Sequence, residues 1–363
     1  MTLRRVWLDC DPGHDDALAI LLAVHCPNIQ LLGVSTTHGN APPASTHVNA
    51  VRCLHAFNAP IDVHAHRGAT KPLIRPARVD PEIHGPDGLG GVEELLPTLD
   101  DPAVSERWQL DGRRSATDGI AKAVKNSYLN GFRVSIATTG PMTNLALFLT
   151  LHPELHEAIE EIVFMGGGVG IGNRSAVAEY NILCDPEAAQ IVLDSPIRKV
   201  MIPLNVTHTC LFTSSVHRRL LTGSPAPQSE DPDPDPTSTL TEMPLATSPF
   251  RHMLSTICMY FASAYRSTFG FHNGPPLHDP LTIAYLCRPE IFTTTRYRVD
   301  VELAGTHTVG ETVVDLWNYQ KLGEDDWSKG KNCLVAGSVD VASFFNILLA
   351  CVDKADQVTC LNK

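Results

Sequence analysis

The sequence predicts an α/β fold: a single domain with a mainly parallel central sheet, helices on both faces and the active site at the C-terminal strand ends. Three observations lead there. Short β-rich runs alternate with longer helical patterns, which is how βαβ units read. Clusters of polar residues follow these runs directly, as expected of a parallel sheet that binds ligands along one edge. With 363 residues and 43% hydrophobic content, the chain can bury a sizeable core.

VWLD (6–9) reads as the first strand, with an apolar helix beginning near Asp15. LLGVSTT (31–37) precedes a helix from about Pro43 to Phe57, and FRVSIA (132–137) leads into one near Met142 to His152. EIVFM (161–165) and KVMIPL (199–204) follow the same rule. The succession gives a Rossmann-like layering over residues 1–363, with no internal repeat at a fixed period. Gly223 to Thr247 stands apart. It contains SPAPQSEDPDPDPTS, which can neither bury apolar surface nor sustain a helix, and is expected to be a mobile surface insertion.

Composition narrows the function. Lys and Arg number 28 against 40 Asp and Glu, a formal charge of −12, which argues against a generic nucleic-acid binder. The longest apolar run, Ala17 to Val24, is far short of the ~20 residues that span a bilayer. Arg4 and Arg5 resemble a signal n-region, but Asp9, Asp11, Asp15 and Asp16 occupy the place of its apolar core, so a cytoplasmic location is expected. Ten cysteines occur without a C-x-x-C pair. Cys10, Cys26, Cys53, Cys184 and Cys258 sit among apolar residues and read as small core fillers. The sequons at Asn173 and Asn205 matter only in a secretory compartment.

DCDPGHDD (9–16) places four carboxylates within eight residues, a concentration that repels itself unless a cation compensates. Hard carboxylate oxygens suit Ca²⁺ or Mg²⁺ rather than zinc. Helix capping by Asp15 is the plainer reading, but it accounts for one Asp of the four. HDP (278–280) adds Asp279 before a proline, again a position where a cap is expected. In AEYNILCDPEAA (178–189), Glu179 and Asn181 would share one face of an extended strand. With Asn40 and Asn173 they supply the amides and carboxylates that a polyhydroxylated sugar needs. MGGGVGIGN (165–173) lacks the spacing of a phosphate loop, and its glycines suit close backbone approach to a ligand.

Taken together, DCDPGHDDA, HGN, TTGPMTN, MGGG, the GN…AEYN…DPEAA stretch and HDP resemble the calcium-dependent nucleoside hydrolases, the inosine–uridine-preferring ribohydrolases, and within them the fungal uridine nucleosidase branch. The resemblance runs from about Val6 to Leu286 and weakens after Arg288, although a closing helix near Val339 to Val352 fits. It implies Ca²⁺ held by Asp11, Asp16, the Thr139 carbonyl and Asp279, with Asp11 also activating water. It further implies ribose contacts from Asp15, Asn40 and Asn181, a 5′-hydroxyl held by Asn173 and Glu179, and Met165 beneath the ribose. His278 and His84 would meet the nucleobase, and His278 would protonate it on departure. A homodimer or homotetramer is also implied. Departures are His14, where an apolar residue or Asn is more usual, Tyr180 in place of the common Phe, and the 223–247 insertion.

The expected reaction is hydrolysis of the N-glycosidic bond of a purine or pyrimidine ribonucleoside (inosine, uridine) to ribose and free base, by direct attack of an activated water. Nicotinamide riboside is the alternative substrate. Two readings lie outside the class. An aspartyl-nucleophile phosphohydrolase would use Asp9 as nucleophile and Asp11 as acid/base, and a non-catalytic nucleoside binder would keep Asn173, Glu179 and Asn181 without needing Asp11.

Overall fold

The computed structural model describes residues 3–111, 114–223, 243–319, 327 and 330–363. Their strands are β1 (Arg4–Cys10), β2 (Ile29–Thr36), β3 (Ala65–Arg67), β4 (Val134–Thr138), β5 (Ile159–Met165), β6 (Lys199–Ile202), β7 (Phe292–Val301), β8 (Thr312–Val314) and β9 (Asn332–Val339). They form one nine-stranded sheet in the order β3-β2-β1-β4-β5-β6-β9-β7-β8. β1 pairs in parallel with both β2 and β4, so the winding direction reverses at β1. Ligand crevices open beyond the carboxyl ends of strands at such a reversal. β7 runs antiparallel to β9 and β8, closing the far edge.

The strands in this half are apolar along their length because both sheet faces are covered. In β1, Val6, Leu8 and Cys10 join one core cluster and Trp7 joins the other. The Trp7 indole N–H donates to Ser35 Oγ at 2.9 Å. The His14–His25 helix is buried from His14 through Ala23, and packs on the Pro280–Cys287 and Val341–Val358 helices.

Five strands and four helices anticipated from the sequence are present with bounds shifted by a few residues. Two local readings change. Asp15 is not a cap: Gly13 holds that position, and Asp15 and Asp16 lie in the first helical turn. Glu179 and Asn181 do not share a strand face. Glu179 caps a short helix, Tyr180–Cys184, its carboxylate accepting the Asn181 and Ile182 N–H groups.

Residues 224–242 of the expected insertion lie outside the described residues. The chain on either side of them meets: Thr247 donates its N–H and its hydroxyl to the Leu221 carbonyl at 3.0 and 3.1 Å. Among the described residues no helix is long and apolar enough to cross a membrane. All ten cysteines are free thiols, and the five expected core fillers are buried.

Candidate active site

β1 ends at Cys10, and Asp11-Pro12-Gly13 turns the chain into the His14–His25 helix. Asp15, Asp16 and Asp279 each bring a carboxylate oxygen within 4.8 Å of the other two. Asp279 comes from the N-cap of the Pro280–Cys287 helix, yet its side chain caps no backbone N–H, so it is left to face the other two acids. Burial, then repulsion from Asp15, Asp16 and Asp11, pushes Asp279 well above the usual carboxylate range. Burial, then Asp16, does the same to Asp11 and raises Asp15. Asp16 is also raised by burial, though Gly13 N–H and Thr139 Oγ1 donate to it at 3.0 and 2.7 Å.

Asp11 lies outside that trio of converging oxygens. Its Oδ2 accepts the Asn40 N–H at 2.8 Å, while Oδ1 is fully buried without a partner. A Cβ on Gly39 or Gly140 would come within 1.9 or 2.4 Å of the Asp11 carboxylate oxygens, which explains the glycines in HGN and TTGP. An orphaned carboxylate oxygen beside three mutually repelling carboxylates fits a hard divalent cation.

Asp9 belongs elsewhere. It is fully buried and bonded to the Ser35 hydroxyl and to Asn144 Nδ2, and burial raises it to about 7. With its Oδ1 engaged by two donors within the sheet and its carboxyl raised by burial, it is a poor match for the nucleophile that the phosphohydrolase reading requires. Asp11 and Asp16 also lie behind the pocket lining, which Asp15 and Asp279 reach.

The pocket above the carboxylates is walled by Asp15, Asn40, Met165, Asn173, Glu179 and Asn181. Asn40 Nδ2 donates to Asp16 Oδ2 at 3.0 Å, tying the wall to the acidic floor. Asn181 Nδ2 donates to the Thr139 carbonyl at 2.8 Å and lies 3.5 Å from Met165 Sδ. Glu179 also accepts the Gly167 N–H at 3.0 Å, and burial raises its carboxyl to about 7. Asn173 Oδ1 accepts the Tyr180 N–H at 2.9 Å, and the Tyr180 hydroxyl donates to the Gly39 carbonyl at 2.9 Å. The tyrosine that departs from the common Phe therefore anchors the HGN turn.

The opposite wall holds His84 and His278 with residues that the sequence did not single out: Asp80, Ile83, Arg174, Phe261, Tyr265 and Phe269. The last three recur at i, i+4 and i+8 on the Pro249–Phe269 helix, a spacing that marks one helix face. Arg174 pairs with Asp80, its guanidinium 5.3 Å from the Phe269 ring. His278 corrects the expectation that it carries a proton ready for the departing base. Its Nε2 shares a hydrogen bond with Tyr265 Oη and its Nδ1 with Thr207 Oγ1, each 2.8 Å, and burial holds it well below the usual imidazole range. His84 is likewise depressed by burial, then by His14. Its Nδ1 accepts the His14 N–H at 3.3 Å, which leaves Nε2 to carry the proton of the neutral ring. His14 stacks on Tyr260 with ring centroids 4.9 Å apart and contacts the Gly90 carbonyl through Nε2. The second departure thus supports His84 from behind.

Fold and pocket together define a sugar-handling hydrolase of the parallel α/β class. The sequence model of the inosine-uridine preferring nucleoside hydrolase family matches residues 6–346, past the point where the resemblance read from the motifs weakens. A probable ribonucleoside hydrolase of Dictyostelium discoideum is 34% identical over 358 residues, 97% of this chain and 95% of the relative. The pyrimidine-specific ribonucleoside hydrolase RihA of Escherichia coli (strain SE11) is 37% identical over 313 residues, 86% of this chain and 88% of its own. Among solved structures, the purine-preferring ribonucleoside hydrolase from Gardnerella vaginalis superposes with a TM-score of 0.77 at 28% identity, covering 98% of this chain and 99% of its own. The chain belongs to the inosine-uridine preferring nucleoside hydrolase family and is an N-glycosyl hydrolase acting on ribonucleosides.

Proposed function

We propose that this enzyme hydrolyses both purine and pyrimidine ribonucleosides, inosine and uridine among them, at a Ca²⁺ site formed by Asp11, Asp16, the Thr139 carbonyl and Asp279. The observation that carries the reading is the convergence of buried carboxylates beneath a wall of amides. Asp15 belongs to the converging trio and so stands at the border between cation and sugar. When bound, the cation supplies positive charge that steadies these carboxylates, orients ribose hydroxyls and acidifies water.

The protein's own groups do the rest. Asp11, with one oxygen fixed by Asn40 and the other unpartnered, takes the proton of a water attacking C1′. Asp15, Asn40 and Asn181 hold the ring hydroxyls, Asn173 and Glu179 hold the 5′-hydroxyl, and Met165 lies beneath the sugar. Positive charge develops on the ribose as the glycosidic bond breaks, and the surrounding carboxylates stabilise it. The aromatic wall of Phe261, Tyr265 and Phe269 offers π-faces that stack on either ring system. This supports breadth of base, as does similarity to relatives named for purines and for pyrimidines.

The leaving base needs a proton. His278 is neutral before substrate binds, so the donor is the hydrogen-bonded Tyr265–His278 pair rather than a free imidazolium. The test is His278→Ala assayed on inosine and on p-nitrophenyl riboside, whose phenolate departs unprotonated. A donor role costs ~10²–10⁴-fold on inosine and little on the activated substrate; equal losses would move the role to His84. A panel of inosine, adenosine, cytidine, uridine and nicotinamide riboside, with detection of free base, fixes the substrate range. A cytoplasmic homodimer or homotetramer organised as one domain completes the proposal, to be checked by fractionation and sedimentation.

A further inference from the structure

A second reactive constellation lies away from the pocket, where three helices converge. Cys26 is the C-cap of the His14–His25 helix, Cys287 the last residue of the Pro280–Cys287 helix, and Cys351 belongs to the Val341–Val358 helix packed against both. The Cys26 sulfur lies 3.7 Å from that of Cys351, and the Cys287 thiol is close enough to Cys26 for the two to influence each other's ionisation. A cavity of about 340 Å³ adjoins the cluster and is lined by Cys287 and Cys351 together with Asn28, Arg288 and Lys354. Cys287 Sγ donates to Asn28 Oδ1 at 3.0 Å.

From this grouping we propose that Cys287 and Cys26 form a peroxide-reactive dithiol site, with Cys287 meeting a small hydroperoxide in the cavity and Cys26 resolving it to a disulfide. Reactive thiols need nearby cations, a route for the oxidant and a partner thiol within reach. Here Arg288 and Lys354 line the cavity with Cys287, the cavity is the route to a sulfur that is otherwise buried, and Cys26 adjoins it. The hydrogen bond from Cys26, then the charges of Arg288 and Lys354, hold the Cys287 thiol below its usual range despite burial. Cys53 and Cys258, which are fully buried, are pushed up to about 12 instead. In the first step the Cys287 thiolate attacks one peroxide oxygen. The S–O bond forms as the O–O bond breaks, and hydroxide leaves and takes the Cys26 proton. In the second step the Cys26 thiolate attacks the Cys287 sulfur. The S–S bond forms, the S–O bond breaks, and the departing hydroxide is protonated to water. Two thiols lose two electrons in total, and one peroxide is reduced to two waters.

The bridge would tie together the far ends of the two helices whose first residues carry Asp15 and Asp16 on one and follow Asp279 on the other. The experiment treats the purified enzyme, in a Cys360→Ser background that removes the most exposed thiol, with a small excess of hydrogen peroxide. Free thiols are counted, and bridged peptides are mapped without reduction. The expected result is the loss of two thiols per peroxide consumed, a bridge between Cys26 and Cys287, and recovery of both thiols with dithiothreitol. Cys287→Ser should slow the loss about tenfold or more, because it removes the thiol that meets the peroxide in the cavity. Retention of all thiols, a bridge other than Cys26–Cys287 (Cys26–Cys351 included), or an unchanged rate in Cys287→Ser overturns the proposal. The map of the Cys287-containing protein decides the matter even if the variant fails to fold.

Discussion

The two walls of the pocket are built by different means. The polar wall comes from loops at the carboxyl ends of β1, β2, β4 and β5, so its residues follow strands within short, recognisable motifs. The aromatic wall comes from one face of the Pro249–Phe269 helix and from the short Pro81–His84 helix capped by Asp80, the two joined by Arg174, which pairs with Asp80 and lies over Phe269. The first is polar and bonded into the sheet edge; the second is aromatic, with its histidines kept neutral by burial. The difference teaches that the polar wall is fixed by the sheet edge, while the aromatic wall depends on helices packed beside it; under the proposed function the first would hold the ribose and the second the base.

The largest expected effect tests the sugar side. Asp279→Asn removes one of three converging carboxylates, so calorimetry should show metal affinity falling by more than the ~10–100-fold typical of an outer-shell partner, with hydrolysis lost. The metal-free variant should melt no lower than the parent, because a mutual repulsion is gone. A clear fall in its melting temperature would mean that Asp279 holds the fold rather than a cation. On the base side, Tyr265→Phe deletes the hydroxyl bonded to His278 Nε2. Turnover of inosine should fall ~10²-fold while p-nitrophenyl riboside is nearly unaffected. Equal losses on the two substrates would erase the division of labour between the walls.

Next in size is the linkage between cation and pH. Asp9 and Glu179 are raised to about 7 and Asp11 and Asp279 well above their usual range, so the folded chain binds these protons more tightly than the unfolded one. The contribution of each to stability is full at acid pH and is lost as pH rises through its folded-state value, about 7 for Asp9 and Glu179. A cation would take the place of the protons on Asp11 and Asp279, so Ca²⁺ should stabilise the chelator-treated protein more at about pH 8 than at about pH 5.5. At a hundredfold excess over Kd the gain is about 2.7 kcal/mol, read as a rise in melting temperature; equal rises at the two pH values would sever the link. Arg174→Ala, which removes the Asp80 pair and the cation–π contact with Phe269, should raise KM roughly tenfold or less and leave kcat unchanged. A fall in kcat with KM unchanged would place Arg174 in the chemistry. The smallest effect concerns residues 224–242. Because Leu221 and Thr247 are bonded to each other, replacing the stretch between them with a short Gly/Ser linker should leave the melting temperature nearly unchanged. A large drop would show that it packs.

Much of this was legible in the chain itself. Short apolar runs followed by DCDPGHDD, HGN, TTGPMTN and MGGG locate the parallel strands and the edge where function gathers, because a strand buried on both faces reads as a continuous apolar segment. The antiparallel β7–β9 edge was not legible. FTTTRYRVDV in β7 is only partly buried and mixes charged with β-branched residues, so it lacks the apolar continuity of the strands inside the sheet. The hard-oxygen character of the floor also follows from composition, since no arrangement of four aspartates in eight residues suits a soft metal.

The tertiary structure decided what those groups became. Asp9 and Asp15 are indistinguishable as letters in one octapeptide. The first is spent on Ser35 and Asn144 within the sheet, and the second meets Asp279 across two helix N-termini. His278 carries the same imidazole as any exposed histidine, but burial and two hydrogen bonds remove the proton that the sequence reading gave it. The aromatic wall exists only because the Pro249–Phe269 helix turns that face toward a sheet edge distant in the chain. Local sequence sets residue chemistry, backbone periodicity and the strand ends. Protonation state, burial and the choice of partners depend on contacts between segments far apart in sequence, and those exist only once the chain has folded.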